Sequence, residues 1–218
     1  MTEKKRIAVL VSGGGTNLQA LIDAEKNGII KSGTISLVLS SSKDAYALTR
    51  ASNAGIKTLV VEKSLHPDRD EYSAAIKDAL IEAKIDLVIL AGFMYILTPS
   101  LISAFENRII NVHPALIPSF CGDGYYGLHV HEAALSYGVK VTGATVHFVS
   151  AVTDGGPVIL QKAVEIREDD TPKTLQRRVM EQAEWKILPL AAELFCAGRL
   201  RIEGRIVRIL EETDTESI

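Results

Sequence analysis

The residues best placed to do chemistry are an asparagine and a histidine that close an apolar run. In Arg108-Ile109-Ile110-Asn111-Val112-His113-Pro114 the apolar residues predict a buried strand with the polar pair at its end. Asn111 and His113 are two positions apart, so their side chains point the same way from an extended backbone. An imidazole moves protons near neutral pH, and an amide N–H stabilises a developing oxyanion. The pair predicts chemistry on a carbonyl, although a structural histidine at a strand end is the commoner case.

A glycine-rich segment is the second candidate. Ser12-Gly13-Gly14-Gly15-Thr16-Asn17 joins a predicted strand to a predicted helix. Glycines let the backbone approach a ligand, and free N–H groups at a helix N-terminus favour an anion. Leu18 stands where a dinucleotide-binding pattern needs its third glycine, and no P-loop lysine follows. The segment therefore predicts a phosphomonoester site rather than one for NAD or ATP, with a turn that binds nothing as the alternative.

Asp154, in Thr153-Asp154-Gly155-Gly156-Pro157, is the third candidate. An aspartate before two glycines often only forms a turn. A carboxylate near an imidazole raises the imidazole's pKa. If Asp154 reaches His113, we expect it to hold that histidine protonated.

Five other polar residues carry weaker signals. Cys121 lies close enough in sequence to His113 for a nucleophile pair, but nothing else would activate the thiol. His129 and His131 lack a clear carboxylate or thiolate partner set, so we expect no metal site. Asp123 and Glu132 are expected to be solvated or to cap helices.

The hydrophobic pattern predicts the scaffold that positions these segments. Short β-branched runs alternate with amphipathic stretches over the first half of the chain. Strands are predicted over 7–11, 34–39, 57–61, 87–90 and 108–112, and helices over 17–25, 45–53 and 70–83. This alternation is typical of an α/β protein with a mostly parallel twisted sheet and helices on both faces.

The pattern changes after residue 138. Two long apolar runs, 139–149 and 157–164, are joined by a glycine-rich connection, which predicts an antiparallel addition to the sheet in the C-terminal half. A helix is predicted from residue 170 to 198, with a kink or restart at Pro189. Ligands of such sheets bind beyond the C-terminal ends of the strands. The candidate segments, together with Ala91-Gly92-Phe93-Met94, should therefore meet at one edge.

Composition limits the class of protein. The chain has 218 residues, a net charge of -3 and two cysteines. We expect one domain over 1–218, with a core over about 6–200 and a frayed acidic tail over 211–218. No basic surface for nucleic acid, signal segment or membrane span is predicted, and the reduced cysteines favour the cytoplasm.

Four segments taken in order resemble a known family. They are residues 12–19 (SGGGTNLQ), 90–97 (LAGFMYIL), 111–118 (NVHPALIP) and 153–159 (TDGGPVI). Together they resemble the folate-dependent formyltransferases, and among these the phosphoribosylglycinamide formyltransferases of purine biosynthesis. The resemblance covers nearly the whole chain, from about residue 6 to about residue 200.

The resemblance implies a Rossmann-like formyltransferase fold and a reaction. A formyl group would pass from 10-formyltetrahydrofolate, as co-substrate, to the amine of phosphoribosylglycinamide without a metal. The enzyme would be a monomer or homodimer acting on small molecules. By position, the implied catalytic residues are Asn111, His113 and Asp154. The implied ribonucleotide-binding residues are Gly15, Thr16, Asn17 and Glu184. The implied folate-binding residues are Arg69, Met94, Tyr95, Ile96, Leu97, Asn111, Ser150, Ala151, Val152, Thr153 and Asp154.

Two departures and three alternatives accompany the resemblance. Tyr95 stands where the family usually has arginine, and the loop 119–128 is longer than in shorter members. Methionyl-tRNA formyltransferases share the Asn-x-His pattern but carry a further C-terminal RNA-binding domain. Formyltetrahydrofolate hydrolases carry an extra N-terminal regulatory domain. A non-catalytic phosphosugar-binding module would need the glycine loop alone.

Overall fold

A mixed sheet of nine strands forms the centre of the molecule, here a computed structural model that describes residues 3–211. The strands are β1 (Lys5–Val11), β2 (Gly33–Ser40), β3 (Thr58–Val60), β4 (Leu87–Leu90), β5 (Ile109–His113), β6 (Val141–Phe148), β7 (Val158–Glu165), β8 (Leu200–Glu203) and β9 (Ile206–Ile209). The helices are α1 (Thr16–Lys26), α2 (Tyr46–Asn53), α3 (Arg69–Glu82), α4 (Pro99–Ala104), α5 (Leu128–Tyr137), α6 (Pro172–Val179) and α7 (Trp185–Cys196). A 3₁₀ turn covers Lys63–Leu65 and a π-helical turn covers Met180–Glu184.

The strand order is β3-β2-β1-β4-β5-β6-β7-β9-β8. Strands β1 to β5 are parallel, whereas β6 pairs antiparallel with both β5 and β7. This confirms the predicted α/β fold with an antiparallel addition in the C-terminal half. The order places the loops that follow β1, β4 and β5 side by side at one edge of the sheet.

The core has two layers, one on each face of the sheet. Alternate residues of β1 point to opposite faces, as expected for a strand buried on both sides. Ile7 and Val9 pack with α1, α2, α6 and α7, while Ala8 and Leu10 pack with α3 and α4. The helices therefore cover both faces, as the apolar strands predict.

Several elements differ from the prediction. Helices α4 and α5 and the β8–β9 hairpin were not predicted. The long C-terminal helix is interrupted before Pro189: the chain forms the π-helical turn Met180–Glu184, and α7 then runs through the proline. Such π-helical turns are one known cause of helix irregularity. Positions 212–218 of the predicted frayed tail lie outside the described residues. Within 3–211, no helix is both long and apolar enough to cross a membrane.

Candidate active site

The three residues that the sequence singles out for chemistry lie together at the end of β5. His113 is the last residue of β5 and its side chain is only 4% exposed. Its Nδ1 atom lies 3.4 Å from Asp154 Oδ2, and the Asn111 amide nitrogen lies 3.5 Å from Asp154 Oδ1. Asp154 reaches them from the turn after β6 with a φ of 52°, a left-handed conformation that is uncommon for aspartate. Backbone strain of this kind clusters at functional sites.

The loop 119–128 is built onto this cluster. His113 Nε2 lies 2.8 Å from the Phe120 carbonyl oxygen, and because a carbonyl oxygen only accepts, Nε2–H is the donor. The Gly122 N–H donates to Asp154 Oδ2 at 2.9 Å, and the Thr153 hydroxyl donates to Asp123 at 2.9 Å. The loop therefore contacts both the histidine and the carboxylate directly.

Burial controls the charge of the cluster. It lowers the pKa of His113, and the opposing effects of Asp154 and the Phe120 carbonyl do not compensate for it. Burial alone would raise the pKa of Asp154. The hydrogen bond from His147, the nearby His113 and the Gly122 N–H together hold that pKa below its ordinary value. Asp154 is thus ionised at neutral pH, but burial opposes the expectation that it keeps His113 protonated.

A cavity of about 710 Å³ opens beside the cluster. Asn111, His113 and Asp154 line it, as do Thr16, Asn17 and Glu184 from the predicted ribonucleotide side. The predicted folate segments, residues 94–97 and 150–154, line it as well. Gly15 and Arg69 are not among the lining residues. The volume lies in the range of small-molecule sites.

The glycine loop uses its carbonyl groups, but not its N–H groups, for contacts with the rest of the protein. The Gly13 carbonyl oxygen accepts from the Ala47 N–H at 3.0 Å, and the Gly15 carbonyl oxygen accepts from the Gln19 N–H at 2.9 Å. The Gly14 carbonyl oxygen accepts from Arg50 Nε at 2.8 Å. Within residues 3–211, no protein acceptor is found for the backbone N–H groups of 14–17. The first turn of α1 contains no acidic residue. These features favour an anion at the start of the helix.

A buried carboxylate lies next to this loop. Asn17 Nδ2 donates to Glu184 Oε2 at 2.6 Å, and the Asn17 amide oxygen has no partner in the described structure. Burial raises the pKa of Glu184 to about 7, partly offset by the hydrogen bond from Asn17. Because both side chains line the cavity, they offer polar groups to a ligand held by the glycine loop.

The segment 94–97 forms an apolar wall. Met94 and Ile96 are more than half exposed. Arg69 supports the segment from behind, with Nε and Nη2 donating to the carbonyl oxygens of Ile96 and Leu97 at 3.2 and 3.1 Å. Tyr95 packs edge-on against Tyr72, with ring centroids 5.4 Å apart. Tyr95 thus contributes a ring contact to the wall and brings no charge to the position where the resemblance implies an arginine.

The weaker candidates have other roles. The Cys121 thiol donates to the Pro118 carbonyl oxygen at 3.3 Å, and burial, followed by the nearby Asp154, raises its pKa, which opposes a thiolate nucleophile. His129 is exposed and lies 3.0 Å from Glu132. Among residues 3–211, no group of three His, Cys, Asp or Glu side chains is arranged to hold a metal ion.

Two further histidines line the cavity: His147, which the sequence did not single out, and His131, which the sequence suggested only as a weak metal ligand. His147 lies on β6 opposite Asn111, and its Nε2 atom lies 3.2 Å from the asparagine amide nitrogen. His131 is 1% exposed, and neither ring nitrogen has a partner in the described structure. The signal for His147 was its place in the run 139–149, but only the β5–β6 register brings it to Asn111.

The fold and the site define a group-transfer enzyme: the N-terminus of α1, with N–H groups that lack protein acceptors, and a carboxylate–histidine–amide cluster share one cavity at the edge of an α/β sheet. The model of the family described as Formyl transferase matches residues 5–192. The chain therefore belongs to the formyl transferase family.

Several individual proteins similar to this chain are named as formyltransferases or transformylases, or as a purine biosynthetic protein. The chain is 42% identical over 196 residues to the phosphoribosylglycinamide formyltransferase of Escherichia coli, covering 90% of this chain and 89% of that protein. It is 42% identical over 212 residues to the human trifunctional purine biosynthetic protein adenosine-3, covering 96% of this chain but only 20%, about a fifth, of that protein. The solved structure of glycinamide ribonucleotide transformylase 1 from Symbiobacterium toebii is 45% identical, with a TM-score of 0.91 and coverage of 97% and 96%.

Proposed function

We propose that this chain transfers the formyl group of 10-formyltetrahydrofolate to the amine of phosphoribosylglycinamide, a step of purine biosynthesis. The observation that carries the proposal is a single cavity that reaches from the N-terminus of α1 to the cluster of Asn111, His113 and Asp154. The names of the Escherichia coli and Symbiobacterium toebii relatives supply the acceptor and the group that is transferred. The family resemblance of the sequence supplies 10-formyltetrahydrofolate as the donor.

The two ends of the cavity suit the two substrates. The N–H groups of residues 14–17 would bind the phosphate, and Glu184 would accept from the ribose hydroxyls. The flat folate ring would lie against the apolar wall of residues 94–97, with residues 150–154 around it. Holding both molecules side by side over the cluster contributes to the rate by proximity.

The transfer needs no covalent intermediate on the protein. The neutral amine attacks the formyl carbon, the carbonyl oxygen becomes an oxyanion, and the bond from carbon to N10 of the folate then breaks. The amine loses one proton and N10 gains one, so no net proton is required. Asn111 and His113 donate hydrogen bonds to the oxyanion, and each such donor typically contributes about 100- to 1000-fold in rate.

The position of the hydrogen on the His113 ring determines which atom can donate to the substrate. Its Nε2–H is the available donor, and that N–H donates to the Phe120 carbonyl oxygen. In the proposed mechanism, the formyl oxygen takes the place of this carbonyl when the loop 119–128 adjusts to the substrates. The ionised Asp154 lies 3.4 Å from Nδ1 and favours a proton on that nitrogen, which strengthens the donor at Nε2 as the oxyanion forms.

The test is a turnover assay. The protein is mixed with phosphoribosylglycinamide and 10-formyl-5,8-dideazafolate, and release of the deformylated folate is followed. We expect turnover that depends on the ribonucleotide. Release of the deformylated folate without the ribonucleotide would instead indicate a formyltetrahydrofolate hydrolase. Formylation of methionyl-tRNA would indicate a methionyl-tRNA formyltransferase. Phosphosugar binding without any turnover would indicate a binding module.

The remaining expectations follow from the same proposal. Cys121 and Cys196 are both unpaired, which agrees with a reducing cytoplasmic environment. The single domain stays a prediction. The monomer or homodimer also stays a prediction, and analytical ultracentrifugation would test this oligomeric state.

A further inference from the structure

The turn between β6 and β7 holds Asp154 in a conformation that an aspartate disfavours. Asp154 has a φ of 52°, in the left-handed region that residues other than glycine rarely adopt. The Gly155 N–H donates to the Val152 carbonyl oxygen at 2.9 Å, which closes the turn locally. A residue in such a conformation keeps it only when the surrounding structure holds it there. Contacts from outside the turn are therefore expected to matter for the position of Asp154.

The two glycines after Asp154 show how closely the turn lies against the end of β6. A Cβ at Gly155 would lie 2.6 Å from Val152 Cγ1, and a Cβ at Gly156 would lie 1.7 Å from the Phe148 carbonyl oxygen. Since Asp154 and Gly155 share a peptide unit, a displacement of the Gly155 backbone changes where the Asp154 carboxylate lies.

A contact from outside the turn comes from the C-terminal hairpin of β8 and β9. Arg205 lies between the two strands, and its Nη1 atom donates to the Gly155 carbonyl oxygen at 3.1 Å. The next residue, Ile206, pairs with Val158 of β7. Two adjacent residues of the hairpin are thus attached to the chain just after Asp154.

Two other arginines of the hairpin have their charges paired within it. Arg201 Nη2 lies 2.8 Å from Glu203 Oε1, and Arg208 Nε lies 3.2 Å from Glu203 Oε2. Arg201, Arg205 and Arg208 are all exposed. Among the described contacts of these three, the one to the catalytic turn belongs to Arg205. Arg208 therefore offers a matched control, because its loss removes the same surface charge and leaves that contact in place.

We propose that Arg205 is a positioning residue for Asp154: by holding the Gly155 carbonyl oxygen, it keeps the turn in the shape that places the carboxylate against His113. The inference rests on the proposed function, because it takes Asp154 to be catalytic. Arg205 is not among the described residues that line the cavity, so it acts through the turn and not by contact with a substrate.

The test compares Arg205→Ala with Arg205→Lys and with Arg208→Ala. Alanine removes the donor, whereas lysine keeps one charged donor on a long side chain. We expect Arg205→Ala to lower kcat by about 3- to 10-fold with KM for the ribonucleotide nearly unchanged, because one hydrogen bond from a charged donor contributes about this much at an exposed position. Arg205→Lys should recover most of the loss, and Arg208→Ala should turn over like the unaltered chain.

A double-mutant cycle separates positioning from general damage. If Arg205 acts through the Asp154 carboxylate, the double variant Arg205→Ala/Asp154→Asn should be no slower than Asp154→Asn alone. Because Arg205 is exposed, we expect the melting temperatures of the Arg205 variants to stay close to that of the unaltered chain.

Four results would overturn the assignment of Arg205. They are an unchanged kcat in Arg205→Ala, an equal loss in Arg208→Ala, no recovery in Arg205→Lys, and additive losses in the double variant. Absence of transfer by the unaltered protein would instead contradict the proposed function, so the two failures are distinguishable.

Discussion

At the scale of single residues, the site depends on one ionised carboxylate that faces two histidines. Asp154 contacts His113 through Oδ2 and His147 through Oδ1. The sequence alone pointed to Asp154, through the two glycines that follow it, and to the Asn-x-His spacing of Asn111 and His113. The position of His147 beside Asn111 was not, because it depends on the register between two strands. Nor was the burial that lowers the pKa of His113, because burial depends on how the loop 119–128 packs.

The first prediction concerns Asp154→Asn. This change keeps the size of the side chain and removes the charge that stabilises a protonated imidazole. We expect kcat to fall by about 1000-fold, with the melting temperature nearly unchanged, because loss of electrostatic stabilisation at this level is typical of such sites. Asp123→Asn is the matched control, since Asp123 lines the same cavity and contacts Thr153 instead. Near-normal turnover of Asp154→Asn, or an equal loss in Asp123→Asn, would contradict the assigned role.

At the scale of elements, the sequence was most informative where a buried strand and an amphipathic helix alternate. Strands β1, β2, β4 and β5 match the apolar runs, because a strand buried on both faces leaves a continuous apolar segment. The hairpin of β8 and β9 was missed, since its residues are mostly exposed and show no long apolar run. Its pairing with β7 depends on a tertiary contact, between Val158 and Ile206, that no local pattern encodes.

The glycine loop gives the second prediction. Gly15 has a φ of 71°, and a Cβ there would lie 2.6 Å from Ala47 Cβ. We expect Gly15→Ala to shift the loop and to raise KM for the ribonucleotide about tenfold or more, because a hydrogen bond to a charged group contributes about 1.5–3 kcal/mol.

Gly28→Ala is the control for backbone strain in the loop experiment. Gly28 has a φ of 72°, but its Cβ would meet nothing within 4 Å. Both variants should lose about 1–2 kcal/mol of unfolding free energy from the left-handed conformation. Only Gly15→Ala should change KM. An unchanged KM in Gly15→Ala would show that this loop does not bind the phosphate.

At the scale of the whole molecule, the two core layers bring distant segments into one site. The π-helical turn Met180–Glu184 lies more than 160 residues from the glycine loop in sequence, yet Asn17 donates to Glu184 at 2.6 Å. The same packing buries the Glu184 carboxyl group and raises its pKa to about 7. The carboxylate that we propose binds the ribonucleotide is therefore also a source of instability in the folded protein, which makes stability dependent on pH.

The last prediction is the direction of that dependence. The ordinary pKa of the Glu184 carboxyl is 4.5, and the folded value is about 7, so the folded state binds the proton more tightly. The contribution to stability is fully present below pH 4.5 and is lost as pH rises through about 7. We expect the unfolding free energy to fall by on the order of 2 kcal/mol from this group between these limits.

Urea unfolding at a series of pH values measures the change. Glu184→Gln, which cannot ionise, should lose this part of the slope, while Glu181→Gln, an exposed carboxyl in the same turn, should retain it. Parallel curves for the Glu184→Gln variant and the unaltered chain would show that Glu184 does not bind the proton on folding.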